Sequence, residues 1–499
     1  MEVNDWIYIK DKDIKPYREE IINNKGQIRN VQENVKNPYE CFNLFINNGF
    51  INNLVDKTNK CALYKASKKK IENGRPKPKV EWKNIYYSDM EKFIGVIILM
   101  GIYKLEEYKE NYFKEALGSL ELFLPKENYE LILNYLYPSN LELKGKEKIF
   151  NLIKEIMLKS QKYFCLGTYV NISERLKCGK SKENNYDYHL YALSDYNTGY
   201  TYDLILIDKD ITQENIPDNI ILKTIVFHFF MNKIKTNKHL LVTDKSFSLE
   251  KILKENSFNY IGTIKKEEIK CKNKEEIFKP LENGKHENYY KIEGDKYFIL
   301  TKYMDNNELH FLIRNCYNSS KILNRYTWDK QKKKFIKNEY PEIFEKYNNL
   351  MKGVEFSRKL IFYYEIRQKT NKWWKKILFN LIDISLVNSF ILYKIGTNNK
   401  NITQKQYRIE ILKAMVYKYS LKLPQNIHIK KNNSSYMGKH LIIITKNRAC
   451  AYCKLNKEII GPKIHITSYF CSLCKVNLCR ECFEKYHKMK FHKDEHHYH

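Results

Sequence analysis

Apolar residues recur at intervals of three and four in the first and last thirds of this 499-residue chain, and at intervals of two between them. From Pro38 the positions Phe42, Phe45, Ile46 and Phe50 keep the spacing of a helix face packed on a core. Asp89 is placed to cap a second helix in which Phe93, Ile94, Ile97, Ile98 and Met100 are buried. A third helix carries Leu131, Leu133, Leu136 and Tyr137 and closes at Pro138; a fourth spans 149–160. The period then shortens. Residues 188–193 predict a strand that ends at Asp195, followed by a turn at Asn197 and Gly199 and a second strand over 200–207, the spacing of a hairpin. An apolar helix over 220–234, a strand over 239–242 leading to Asp244, a helix over 246–256 and a strand over 258–264 follow. Such alternation predicts a mixed α/β sheet whose crossovers bring parallel strands together. Further strands are expected at 297–303 and 308–314. Helices return at 343–368 and at 374–394, where Ile377, Leu381, Ile384, Val387 and Ile391 mark a core helix. One more helix near 406–419 and a short strand at 441–444 complete the pattern.

The expected organisation is a flexible, polar lead-in (1–37), a helical domain (38–185), an α/β domain in two parts (186–265 and 341–396) with a β-rich insertion between them (266–340), a helical extension (397–445) and a cysteine-rich module (446–499). No internal repeat is visible.

Composition changes this picture in one respect. Lys and Arg number 88 against 58 Asp and Glu, a net charge of +30, which suits a polyanionic partner bound through phosphate contacts. Lys, Asn, Ile, Tyr and Phe are in excess together, however, which an AT-rich coding sequence would also produce. The basic run Lys68, Lys69, Lys70, Arg75, Lys77, Lys79 reads either as a solvated loop or as a DNA contact. No secretory signal is visible, and the longest apolar run, 93–102, is far short of the ~20 residues that span a bilayer. A soluble intracellular chain with no membrane contact is expected.

The candidate chemistry begins with two aspartates at strand exits, Asp195 and Asp244. An Asp there is ordinarily a turn or capping residue. Neighbouring strand ends in a mixed sheet can also bring two carboxylates together, and they then repel unless a cation such as Mg²⁺ lies between them. Two ions about 4 Å apart can activate an attacking hydroxyl and stabilise a leaving oxygen at a phosphodiester. That chemistry needs a third acid.

At this point several ordered segments resemble the piggyBac-like transposases. They are "ALSDYNTGYTYDLIL", "LLVTDKSFSLEKIL" with "NYIGTIK", "YNNLMKGVEFSRK" with "RQKTNKWWKKILFNLIDISLVNSFILY", and upstream "KFIGVIILMGIYKL" and "LILNYLYPSN". The resemblance covers about residues 38–394 and the C-terminal cysteine module. It implies an RNase H-like catalytic domain with an insertion before the third acid, flanked by a helical dimerisation and DNA-binding domain. It also implies metal-dependent cut-and-paste transposition at TTAA targets through hairpin intermediates, in the nucleus. A homodimer acting on transposon ends and target DNA would then be expected. By resemblance Asp195, Asp244 and Glu355 take the catalytic positions and hold Mg²⁺ or Mn²⁺. Glu355 stands where the family usually has Asp, and Arg358 replaces its fourth acid. Arg358, one turn from Glu355, is placed to pair with it or to grip a DNA phosphate. The family's basic, proline-containing segment before the first Asp is poorly matched by 175–186. A domesticated, catalytically inactive DNA- or chromatin-binding derivative is the alternative.

Three CxxC pairs, Cys450/Cys453, Cys471/Cys474 and Cys479/Cys482, precede His487 and His492. Eight soft ligands make two closed tetrahedral zinc sites of the structural kind. Their order suggests a cross-brace, with Cys450, Cys453, Cys479 and Cys482 on one ion and Cys471, Cys474, His487 and His492 on the other. "CSLCKVNLCRECF" resembles the family's cysteine-rich domain, which binds the transposon ends; such modules also bind proteins, including histone tails. Lys475, Arg480, Lys485, Lys488 and Lys490 favour DNA. Trp373 and Trp374, beside Lys372 and Lys375, read as core residues or as base-stacking ones.

Overall fold

The computed structural model describes the chain except residues 1–2, 15–23, 31–36, 68–70, 73–74, 77–81, 107–123, 179–187, 209–224, 227–228, 235–238, 244–258, 294–295, 306, 317–320, 330–332, 400, 421–441, 456–463, 472–473, 475, 480, 484 and 488–499. It falls into two compact units, 1–421 and 422–499.

The first unit is built on one nine-stranded mixed sheet. In chain order its strands are β1 (Val3–Ile9), β2 (Tyr169–Cys178), β3 (Tyr188–Asp195), β4 (Thr201–Asp208), β5 (Leu240–Thr243), β6 (Asn259–Ile264), β7 (His286–Glu293), β8 (Lys296–Asp305) and β9 (Glu308–Arg314). Across the sheet the order is β1-β7-β8-β9-β6-β5-β2-β3-β4. Only β5 runs parallel to its neighbours, β2 and β6; every other pairing is antiparallel.

Three features depart from the pattern-based expectation. Residues 3–9, expected to belong to a flexible lead-in, form an edge strand on β7, because Trp6 is almost fully buried in the core of one sheet face. The β-rich segment after residue 265, expected as an insertion, is shared between two sheets: β7, β8 and β9 extend the main sheet through β9 on β6, and Ile322–Asp329 pairs with Lys334–Pro341 in a hairpin of its own. The strand between β5 and β3, β2, was not anticipated at all. The predicted helix over 246–256 lies outside the described residues, as does about half of that over 220–234, of which Val226 and Phe230 are buried against the sheet.

Helices cover the sheet and complete the unit: α1 (Pro38–Asn43), α2 (Asn48–Ser67), α3 (Tyr87–Tyr103), α4 (Lys126–Tyr135), α5 (Glu147–Tyr163), α6 (Glu342–Phe362), α7 (Trp373–Gly396) and α8 (Gln404–Ser420). Strand alternation decides what each sheet face meets. Tyr169, Leu240 and Val242 share a cluster with Phe344, Tyr347 and Leu350 of α6, whereas Val170, Ile172, Leu193 and Leu241 belong to the cluster on the opposite face. α7 is long and apolar enough to cross a bilayer, but most of it is enclosed by protein. Its Asn388 bridges backbone and helix, accepting from Thr201 N–H (2.9 Å) and donating to Thr201 O (2.8 Å) and Ser160 Oγ (3.1 Å). α6 stops at Phe362, six residues before the expected end at 368. The chain is drawn off it by α7 and α8: the Asp383 carboxylate accepts from Ile366 N–H (2.9 Å) and Arg408 donates to Tyr364 O (2.9 Å).

Candidate active site and metal centres

Asp195 closes β3 and is fully buried. One carboxylate oxygen accepts from Gly167 N–H (2.8 Å), and the other from Thr198 N–H (2.9 Å) and Thr198 Oγ (2.7 Å). This is the side-chain turn that Asp favours, with both oxygens spoken for. The contact is close. A Cβ on Gly167 would stand 2.5 Å from Asn24 O and 2.8 Å from Asp195 Oδ1, so only glycine lets residues 24–26 pass over the carboxylate. Burial raises the pKa of Asp195 despite these hydrogen bonds. The turn is clamped from the other side by α6: Gly199, at a positive φ of 75°, has Ser357 Cα 3.2 Å from where a Cβ would be, and its carbonyl accepts from Ser357 Oγ (2.9 Å).

The sheet separates Asp195 from the exit of β5. β3 is antiparallel to β2 and β2 parallel to β5, with Asp195 opposite Val170 and Val170 opposite Leu241. Two inter-strand spacings and two residues of rise put the Cα atoms of Asp195 and Thr243 roughly 12 Å apart. The faces differ as well. Asp195 follows Tyr191 and Leu193 in alternation, on the face of Leu241, whereas Leu240 and Val242 face α6. Asp244 itself lies outside the described residues. Thr243, which precedes it, is held by α6 through Tyr347 Oη to Thr243 O (3.1 Å). Glu355 lies within α6, and its side chain is outside the described residues.

What lies beneath this part of α6 is a group of residues that sequence reasoning passed over. Beyond Asn171, the last residue of β2 paired with β5, β2 continues through Ile172 and Ser173. Asn171 and Ser173 are buried on the α6 face, and among the described residues neither the Asn171 amide nor the Ser173 hydroxyl has a hydrogen-bond partner. A bulge follows Glu174, and Arg175 reaches back to Ser194 Oγ (2.6 Å) and Ser357 Oγ. Its Nε and Nη1 are buried and have no partner among the described residues. Burial, with Arg358 nearby, lowers its pKa to about 9. Arg358, exposed, donates to Glu174 O (2.9 Å). The only acid on β2, Glu174, is bonded to His189 Nδ1 at 2.5 Å, which holds its carboxyl below the usual range. The signal for this group was a period-2 stretch, Val170 and Ile172 alternating with Asn171 and Ser173, to which no element was assigned.

The profile of the family described as Transposase IS4, a DDE-type family, matches residues 37–390. The chain belongs to that family, in its piggyBac-type form. Its fold is similar to that of the piggyBac transposase in a cryo-EM synaptic complex with hairpin DNA. The TM-score is 0.62 at 15% identity, over 93% of this chain and 98% of that one. DDE transposases use divalent metals.

Two other predicted elements of this transposase-family chain can be placed. Trp373 and Trp374 are buried, Trp373 stacked on Tyr188 (ring centroids 3.8 Å) and Trp374 edge-on to Tyr137 (5.4 Å), so neither ring is open to a base. The basic run lies largely outside the described residues, with Arg75 in a short two-residue strand.

In the second unit, strands Ile442–Ala449, Ile466–Cys471 and Val476–Asn477 form a small antiparallel sheet. It gathers two sets of ligand atoms, each set within 4.8 Å of one another: Cys450, Cys453, Cys479 and Cys482, and Cys471, Cys474 and His487. Both sets suit zinc, which takes thiolate and imidazole tetrahedrally. His487 Nδ1 donates to Phe483 O (2.6 Å), the arrangement that turns Nε2 toward the cysteine thiols, 3.3 Å from Cys471 Sγ. Cys474 N–H points at Cys471 Sγ (3.4 Å). His465, unnoticed in the sequence, supports the four-cysteine set. Its carbonyl accepts from Cys450 N–H (2.8 Å), and its Nδ1 lies 3.8 Å from Cys453 Sγ. His492 and four of the five flanking basic residues (Lys475, Arg480, Lys488, Lys490) lie outside the described residues.

Proposed function

We propose that this chain is a DNA-binding member of the piggyBac-type transposase family that does not cut DNA by three-acid metal catalysis. The observation that carries this reading is the seat of Asp195. A metal-ligating carboxylate must turn free lone pairs toward its partner acids. Asp195 instead has both oxygens occupied, and it lies at the wrong end and on the wrong face of the sheet to meet an acid delivered by β5. The described residues near the β5 exit do not fit a divalent cation either: the side chains there are Asn171, Ser173 and Arg175, and a guanidinium repels the ion that carboxylates would attract. Asp195 is then a turn residue, and Ser173 is the β2 residue nearest the place an acid would be needed.

The arrangement β4-β3-β2-β5-β6, an antiparallel meander continued by two parallel strands, supports the RNase H-like architecture that the family implies. The net charge of +30 supports binding to DNA. Two structural zinc ions in the second unit, a homodimer and a nuclear location belong to the same reading.

Retained cleavage at TTAA sites is favoured by one observation, that α6, the helix carrying Glu355, is bonded to the last residue before Asp244. Incubating the full chain with TTAA-flanked duplex and Mg²⁺ or Mn²⁺, beside Asp244→Ala, separates the two. The proposal expects both proteins to retard the duplex and neither to nick it or form hairpins. Hairpin product made by the wild type and lost in Asp244→Ala overturns it.

A further inference from the structure

The polar group under α6 has an imbalance that the proposed function leaves unexplained. Its unmet members are mostly donors: the Asn171 amide, the Ser173 hydroxyl, and Nε and Nη1 of Arg175. Ser194 and Ser357, both buried, already bind the remaining Arg175 nitrogen through their oxygens. Among the described residues of the group, the unmet acceptors are the Asn171 carbonyl oxygen and the Ser173 lone pairs. Leaving a buried donor without a partner costs about 1–3 kcal/mol, and more when it is charged. Four such groups on one strand face, with no acid among the described side chains they meet, are an expensive arrangement unless something supplies acceptors. The missing partner must be anionic, since it faces a guanidinium, and rich in oxygens, since it must answer a planar fork, an amide and a hydroxyl together. Arg358 and Lys359, exposed on the adjoining turn of α6, add positive charge at the surface above.

We infer that Asn171, Ser173 and Arg175 form a phosphate-binding site, taking a phosphate oxyanion with no metal between it and the protein. The oxyanion is a DNA phosphodiester or free inorganic phosphate. The inference rests on the reading above, in which this position no longer gathers acids. Its chemistry reverses that of a two-metal centre. There, carboxylates hold cations that hold the phosphate; here the phosphate oxygens meet N–H and O–H groups directly, and Arg175 supplies the charge that a metal would have supplied.

The test uses the full chain in magnesium-free buffer, without a chelator so that cysteine-bound metal is undisturbed. Inorganic phosphate is titrated against chloride of equal ionic strength while thermal unfolding is followed, and a short fluorescent duplex is titrated by anisotropy at several salt concentrations. Wild type is expected to show a saturable rise in unfolding temperature with phosphate. Arg175→Gln is expected to lose that rise, to bind duplex at least tenfold more weakly, and to lower the slope of log K against log salt by about one. Should Arg175→Gln not fold, Ser173→Asp, which sets a carboxylate among the donors, is expected to abolish the phosphate response. A phosphate response lost in Arg175→Gln with unchanged duplex binding supports the site and assigns it to free phosphate. No phosphate response in the wild type, with equal duplex affinity and salt slope in both proteins, overturns the inference and leaves the DNA-binding reading standing. A phosphate response in a wild type that binds no duplex supports the site and removes that reading.

Discussion

Asp195→Ala distinguishes a structural carboxylate from a metal ligand by the sign of its effect on stability. The side chain now satisfies the buried amide of Gly167, the half-buried amide of Thr198, and the Thr198 hydroxyl. Truncation orphans the two amides outright, while the hydroxyl can rotate. At about 1–3 kcal/mol for the buried amide and the lower part of that range for the half-buried one, the gross cost is about 2–5 kcal/mol. Part of this is returned, because burial already disfavours the charged carboxylate and raises its pKa. We expect a net loss of about 2–4 kcal/mol, a large share of the 5–15 kcal/mol that typically holds a domain together. Asp195→Asn should fall between, since one oxygen still accepts while its amide meets donors. A carboxylate poised beside other acids would behave oppositely, because its removal relieves repulsion in the metal-free protein. Urea unfolding followed by tryptophan fluorescence is well suited to the measurement. All five tryptophans (Trp6, Trp82, Trp328, Trp373, Trp374) lie in residues 1–421 and report that unit alone. An Asp195→Ala midpoint equal to or above wild type, or stabilisation by Mg²⁺ that Asp195→Ala abolishes, would refute the structural assignment.

The same fluorescence assay reads two further predictions. Glu91, fully buried on α3, receives the hydroxyls of Tyr39, Tyr87 and Tyr419 and the ammonium of Lys418 (2.8 Å), tying α3 to α8. Glu91→Ala should cost about 1–3 kcal/mol, because the tyrosine hydroxyls lose their buried acceptor while Lys418, partly exposed, can turn its ammonium to water, and an effect below 1 kcal/mol would show that the cluster carries little. Asp203 on β4 is buried with one oxygen unpartnered, and burial pushes its pKa up to about 6. Folding therefore favours its protonated form. Its contribution is complete below the unfolded-state value near ~3.9 and is lost as pH rises through 6, about 3 kcal/mol in all. Asp203→Asn should flatten the stability profile between pH 4 and 6, and superimposable profiles would exclude this. For the second unit, metal analysis should find about two zinc ions per chain. Cys479→Ser and Cys471→Ser should each lose about one, with the tryptophan-reported stability of residues 1–421 unchanged; loss of both ions from either variant would show that the two sets are not independent.

Much of the architecture was legible because its signals are local. The three-and-four spacing of α3 and α7, the period-2 runs of β3, β4, β8 and β9, and the turn at Gly199 each depend on residues a few positions apart, whereas the single helix expected through Phe42, Phe45, Ile46 and Phe50 is broken between α1 and α2. β1 was not legible, since a short polar-flanked run becomes a strand only when an edge such as β7 is available to pair with it. β2 failed for a related reason. Its α6-facing positions are Asn171, Ser173 and Arg175, and polar residues on a buried face contradict the pattern by which strands are recognised.

The chain's own sequence determined that there would be a mixed α/β unit of this family and a separate module with cysteines spaced for metal, because helix period, strand alternation and CxxC spacing are written within short windows. It also placed an aspartate at the end of β3. Whether that aspartate could serve as a ligand was decided only by tertiary structure. The direction in which β3 runs beside β2, and the parallel pairing of β2 with β5, put Asp195 at the opposite end of the sheet from the β5 exit. Long-range pairing also brought Asn171, Ser173 and Arg175 to face α6, a juxtaposition across 182 residues that no local pattern encodes.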